Sequence, residues 1–223
     1  MINKDKYLNL CEKEKTIPIF SQPWWLDAVC GPDNWDVVIY EKGGQILGAF
    51  PYFIKRKFGF TILTSPKLTQ TLGVWLAPSN AKYANRLKKE KEIMQELISG
   101  LPKYDVFFQS FHNSITNWLP FYWKNFEQTT KYTYVIEELS NIDSVWDDAN
   151  PNIKTDVRKA RKVLEVVDDI SFEEFYRIIS LTYKRQNMEV TYSFDFLQKV
   201  FEKSLGNASW FNLAALPEFF DDT

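Results

Sequence analysis

A mixed α/β (α+β) fold with a mostly antiparallel sheet flanked by helices is predicted by three features of this 223-residue sequence. Two β-branched and aromatic runs, Trp35–Glu41 and Ile46–Lys55, are joined by Lys42-Gly43-Gly44-Gln45. Two glycines between such runs favour a tight hairpin, because its central positions require positive φ. Amphipathic helical periodicity recurs at Asn80–Leu101, Phe172–Arg185 and Phe194–Leu205. Further strand-like runs fall between these helices, an order that points to a mixed architecture with a largely antiparallel centre.

Taken in order, the first fifteen residues are charged and are expected to be loose. Phe20–Val29 reads as a short helix with Ser21 as N-cap and Pro23 in the first turn, where a missing N–H costs nothing. After the hairpin, Gly59 interrupts the basic-aromatic stretch KRKFGF. Phe60–Leu76 contains Pro66 and Gly73, so it is expected to be an irregular or bulged strand. In Asn80–Leu101, Leu87, Met94, Leu97, Ile98 and Leu101 share one helix face, and Gly100 and Pro102 stop it. Tyr104–Phe111 is expected as a strand, Ile115–Phe126 as an aromatic core helix, Tyr132–Glu138 and Ser209–Leu216 as further strands.

Composition narrows the function classes. A net charge of −2 argues against a general nucleic-acid binder. Apolar runs fall far short of the roughly 18–20 residues a membrane span needs, and the polar N-terminus has no secretory h-region. Cys11 and Cys30 form neither a disulfide framework nor metal spacing, so free cytosolic thiols are expected. A cytoplasmic protein without metal is the base reading.

Against that background one segment concentrates charge. The nine residues Lys154–Lys162 hold five cations and one acid. On a helical wheel at about 100° per residue, Ile153, Val157, Ala160 and Leu164 form one apolar stripe, with Trp146 in phase one or two turns earlier. Lys154, Arg158, Arg161 and Lys162 cluster beside the stripe, so the helix is expected to pack while its cations stay gathered. The plain alternative is a solvated helix face paired with acids such as Glu165 and Asp168.

The order of pieces resembles a known superfamily. FSQPWWLDAV at the start, GAFPYFIK and TLGVWLAP in a meander, and KYTYV followed by a Trp and then DVRKARK are similar to the FemAB-type branch of the GNAT acyltransferases. The similarity runs from Ile19 to Leu216. It implies two GNAT-like halves in tandem, 1–130 and 131–223, and transfer of an acyl or aminoacyl group to an amine on a sugar, amino acid or cell-wall precursor (EC 2.3). The implied donor is acyl-CoA or aminoacyl-tRNA, and the implied partner of the basic helix is a phosphate-bearing small-molecule substrate. Lys154, Arg158, Lys159, Arg161 and Lys162 are its expected contacts, with Trp24 and Tyr134 as weaker ones. By the same resemblance the second half reaches only its first meander strand, so the chain is expected to be C-terminally truncated or half of a split protein. An open edge carrying Phe211, Leu213, Leu216, Phe219 and Phe220 would then favour self-association.

Catalytic residues are not assigned, because this chemistry needs a positioned amine and a polarising donor rather than a covalent nucleophile. His112 is expected to be structural, and Asp36 and Asp105 to be turn caps. Trp24 and Trp25 either wall a cleft or pack the core. A pyrophosphate loop of the form Arg/Gln-x-x-Gly-x-Gly/Ala is approached by Gln70-Thr-Leu-Gly73-Val-Trp75, but Trp75 stands where a small residue is required, so the match is read as accidental. A non-catalytic binding protein on the same fold is the second reading.

Overall fold

The computed structural model describes residues 2–136, 139–167, 170–207 and 212–215. It divides into two compact units, residues 1–128 with 195–204, and residues 129–194 with 205–223.

Two tight turns organise the sheet of the first unit. Strands β1 (Trp35–Lys42) and β2 (Gln45–Lys57) pair antiparallel across a two-glycine turn, with Gly43 at φ 62° and Gly44 at φ 76°. Both positions lie in the left-handed region that glycine enters without steric cost. Strand β3 (Phe60–Thr64) returns along β2 after a second two-residue turn, and the two-residue β4 (Trp75–Leu76) pairs with β2 at Gly48 and Ala49. Helix α3 (Tyr83–Ser99) then crosses over, so that β5 (Val106–Phe108) joins β3 in parallel. The order is β1-β2-β3-β5, with β4 beside β2.

Alternation along β2 sends neighbours to opposite faces. Ala49 packs with Tyr7, Leu26, Trp35, Val37, Leu72 and Trp75 on one face. Phe50 packs with Val74, Met94, Leu97 and Phe121 on the other. Fully burying side chains such as Leu26, Phe50 or Leu97 stabilises by about 1.5–3 kcal/mol each.

Several elements differ from the sequence expectation. The first residues are not loose: Ile2–Lys13 form helix α1, and Tyr7 is 0% exposed, its hydroxyl donating to the Ser21 carbonyl at 2.8 Å. Ser21 does not cap the next helix. It ends a short 3-10 turn (Ile19–Ser21), and α2 (Pro23–Cys30) starts after Gln22 with Pro23 in its first turn. The expected Ile115–Phe126 helix shrinks to α4 (Leu119–Tyr122), since Pro120 must sit in a first turn and Asn125 turns left-handed at φ 62°. Its aromatics divide: Phe121 and Phe126 meet in the core at 5.3 Å, while Tyr122 and Trp123, expected there too, are 59% and 49% exposed. Helix α3 begins three residues later than expected, and β5 is shorter.

In the second unit, 132–136 form no strand; Tyr132 and Tyr134 are fully exposed, while 137 and 138 lie outside the described residues. Helix α5 (Ile142–Asp148) is capped by Asn141, and α6 (Pro151–Ala160) by Asn150, whose side chain accepts from Asn152 N–H. Leu164 leaves the expected helix and opens β6 (Leu164–Val167), which pairs antiparallel with β7 (Asn212–Ala215). Helix α7 (Phe172–Arg185) carries Ser171 as N-cap, and Phe172 is buried against Phe194 at 5.0 Å.

Helix α8 (Phe194–Ser204) contributes residues 195–204 to the first unit, where Val200 is buried with Trp25, Ala28 and Val29. Among the described residues no helix is long and apolar enough to cross a membrane.

Candidate substrate-binding site

The basic helix owes its bounds to local chemistry. Asn150 supplies the cap, and Pro151 is tolerated at the first helical position because its absent N–H has no intrahelical partner there. The pair also separates α5 from α6, so Trp146 is not on the same helix as the cations. Its indole instead meets two of them. The guanidinium carbons of Arg158 and Arg161 each lie 5.8 Å from the Trp146 ring. Arg over an aromatic face at exposed sites contributes about 0.5–1 kcal/mol and limits the guanidinium's orientations.

Lys154 Nζ donates to the Asp147 carbonyl at 2.8 Å. None of Lys154, Arg158, Lys159, Arg161 and Lys162 joins an ion pair among the described residues. The acids expected as partners are not described: Asp168 lies outside the described residues, as does the side chain of Glu165. Arg158 and Lys159 occupy the last turn of α6, where they also complement the negative end of the helix dipole. An anion here is therefore met by side chains rather than by free backbone N–H groups.

The apolar stripe is not the packed face the wheel predicted. Ile153 is 55% exposed, and no residue of α6 is buried. Tyr134 is in the same unit but stands fully exposed, outside any helix or strand. Trp24 belongs to the first unit and takes the core role: half-buried, it packs edge-on to Trp25 at 5.8 Å in the cluster around Val200. Phe211, Leu216, Phe219 and Phe220 lie outside the described residues, as does the side chain of Leu213.

Residues considered for chemistry in the first unit take structural roles. His112 Nδ1 meets Ser114 Oγ at 2.9 Å and accepts from Ser114 N–H at 3.3 Å, a local turn. Asp105 accepts from Thr61 N–H at 2.7 Å and so ties β5 to β3. Asp36 accepts from Val37 N–H at 2.8 Å. The Gln70–Trp75 stretch is also structural. Trp75 is 5% exposed and donates from Nε1 to Thr16 Oγ1 at 3.0 Å. Gly73 lies so close to Phe111 that a Cβ would meet the ring. The chain then runs through β4 and irregular residues before α3, not directly into a helix.

Sequence reasoning missed Gln109, which follows β5 at the end of the parallel pair. Its Nε2 and Oε1 are buried without a hydrogen-bond partner, as is Asn117 Nδ2. The alternation in YDVFFQSF turns Gln109 inward, and that was the available signal. The described residues contain no group of three or more His, Cys, Asp or Glu side chains that would hold a metal.

No family model and no curated protein matches the sequence. Among solved structures, FemX matches with a TM-score of 0.62 at 12% identity, over 98% of this chain. The chain spans 58% of the FemX chain's length. At that identity the likeness shows the fold alone: a FemX-like mixed α/β arrangement with a mostly antiparallel sheet flanked by helices.

Proposed function

We propose that this chain is a FemAB-type acyl or aminoacyl transferase component whose cations on α6 and the turn after it hold a phosphate-bearing substrate. One observation carries the reading. Five cations gather on α6 and the turn that follows it, without ion pairing among the described residues, and the guanidiniums of Arg158 and Arg161 lie by the Trp146 ring. Planar guanidiniums at i and i+3 present forks to phosphate oxygens, while Lys154, Lys159 and Lys162 add point charge. The likeness to FemX supports the class of chemistry, in which an amine held against an ester or thioester carbonyl attacks it and the alcohol or thiol departs. Acyl-CoA and aminoacyl-tRNA are the donor classes.

The test is equilibrium binding of UDP-linked sugars, acyl-CoA and tRNA to the full chain and to Arg158→Ala/Arg161→Ala. Charge-assisted hydrogen bonds of this kind are worth about tenfold in affinity each, so a loss near 10²-fold is expected. Unchanged binding of all three ligand classes by the variant would sink the assignment.

A non-catalytic binding protein on the same fold is the second reading. It expects phosphate-ligand binding with no turnover of any acyl donor.

A further inference from the structure

The β2–β3 hairpin carries exposed apolar and cationic side chains on the first unit. Its turn residues are Phe58 at φ 51° and Gly59 at φ 82°. A left-handed backbone suits Gly or Asn, and a bulky aromatic takes it at a steric cost. The Phe58 ring is nevertheless 87% exposed, with the Lys57 ammonium 5.1 Å from its centroid.

Register extends this tip into a face. Phe60 opposes Lys57, Ile62 opposes Lys55, and across the parallel pair Ile62 and Thr64 align with Val106 and Phe108. Residues directly opposite share a face of the sheet, so Lys55, Lys57, Phe60, Ile62, Val106 and Phe108 lie together. Phe60, Val106 and Phe108 are 55%, 47% and 62% exposed. Arg56 points to the other side of the same hairpin and is also exposed.

The result is an apolar strip with an aromatic tip, with Lys55 and Lys57 on its face and Arg56 on the other side of the hairpin, none of them in an ion pair among the described residues. Asp105 is the carboxylate tied to this hairpin, and the cations outnumber it. Charge selects the occupant. A second copy would bring the same cations against themselves. A nucleic acid would find aromatic rings but also the aliphatic Val106 and Ile62, on which no base stacks well. Anionic lipid fits both parts, phosphates for the cations and the interfacial acyl boundary for the rings.

We propose that this hairpin docks the protein on an anionic bilayer surface, with Phe58 and Phe60 seated in the interface and Lys55, Arg56 and Lys57 against lipid phosphates. The proposal concerns the first unit alone and is independent of the transferase reading. The test is co-sedimentation of the full chain with phosphatidylcholine vesicles, with and without phosphatidylserine. Binding to the anionic vesicles only is expected, falling about fivefold for each of Lys55→Gln, Arg56→Gln and Lys57→Gln. Phe58→Asn suits the turn better than the native residue, so it folds; it is expected to lose roughly tenfold in vesicle affinity. Absence of binding at millimolar lipid, equal binding to neutral vesicles, or no response to Phe58→Asn overturns the proposal. So does sensitivity of these variants in binding a single-stranded RNA, or in self-association by sedimentation equilibrium, without vesicle binding.

Discussion

Replacing Tyr7 by Phe removes one hydroxyl from a side chain with no exposed surface. That hydroxyl donates at 2.8 Å to the carbonyl of Ser21, a residue itself 4% exposed, so water does not replace the lost donor. Leaving one buried partner unsatisfied costs about 1–3 kcal/mol. Tyr7→Ala also removes the ring, which packs in the cluster with Leu26 and Trp75 and meets Trp35 edge-on at 6.3 Å. Aromatic truncations in cores cost about 3–5 kcal/mol. The two variants are therefore expected to differ by about 2 kcal/mol, with Tyr7→Phe the milder. Urea unfolding followed by tryptophan emission measures both, and an unchanged slope assigns the shift to stability. A Tyr7→Phe change within about 0.3 kcal/mol, together with Tyr7→Ala below about 1 kcal/mol, would refute the reasoning and show α1 to be a loosely attached segment.

Gly73→Ala is expected to destabilise by about 1–3 kcal/mol, because its Cβ runs into the Phe111 ring, and Phe111→Leu in the same chain should recover part of that loss in a double-mutant cycle. Burial pushes the Cys11 thiol up to about 12 despite its hydrogen bond with Tyr7; burial, then the Asp27 carboxylate, do the same to Cys30. Thiol-exchange labelling at pH 8 should accordingly be about three orders of magnitude slower than for a free thiol, and rapid labelling in the folded protein would contradict this. The same shifts carry a sign. Each folded pKa exceeds the ordinary thiol value, so the stability involved is complete below about pH 8.5 and is lost as pH rises toward 12, visible as a falling urea midpoint.

The parts of the fold that could be read from sequence are those whose cause is local. Gly43 and Gly44 dictate a turn wherever they stand between strand formers, and the helix near 80–101 carries its own apolar face and its own stop. Helix α1 was hidden because its inward residues, Tyr7, Leu10 and Cys11, are few among charged neighbours. Segment 132–136 alternates like a strand, yet a strand exists only where another backbone pairs with it. The short α4 was legible in principle, since Pro120 forbids a helix running through from Ile115. In the candidate site, composition found the cations, but not the break at Asn150 and Pro151 that places Trp146 on another helix against two arginines. Nor does amphipathicity in Phe194–Leu205 say that Val200 belongs beside Trp25.

That last placement bears on how the chain is made. The first unit takes residues 195–204 from beyond the whole of 129–194. At about 5–20 residues per second, the ribosome spends roughly 3–13 s on the intervening stretch before Val200 exists to cover Trp25, Ala28 and Val29. Through that interval the nascent first unit leaves these apolar side chains of α2 without Val200 against them, an opening for chaperones and a hazard on crowded polysomes. Helix α8 can cover those side chains only after the whole of 129–194 has been made.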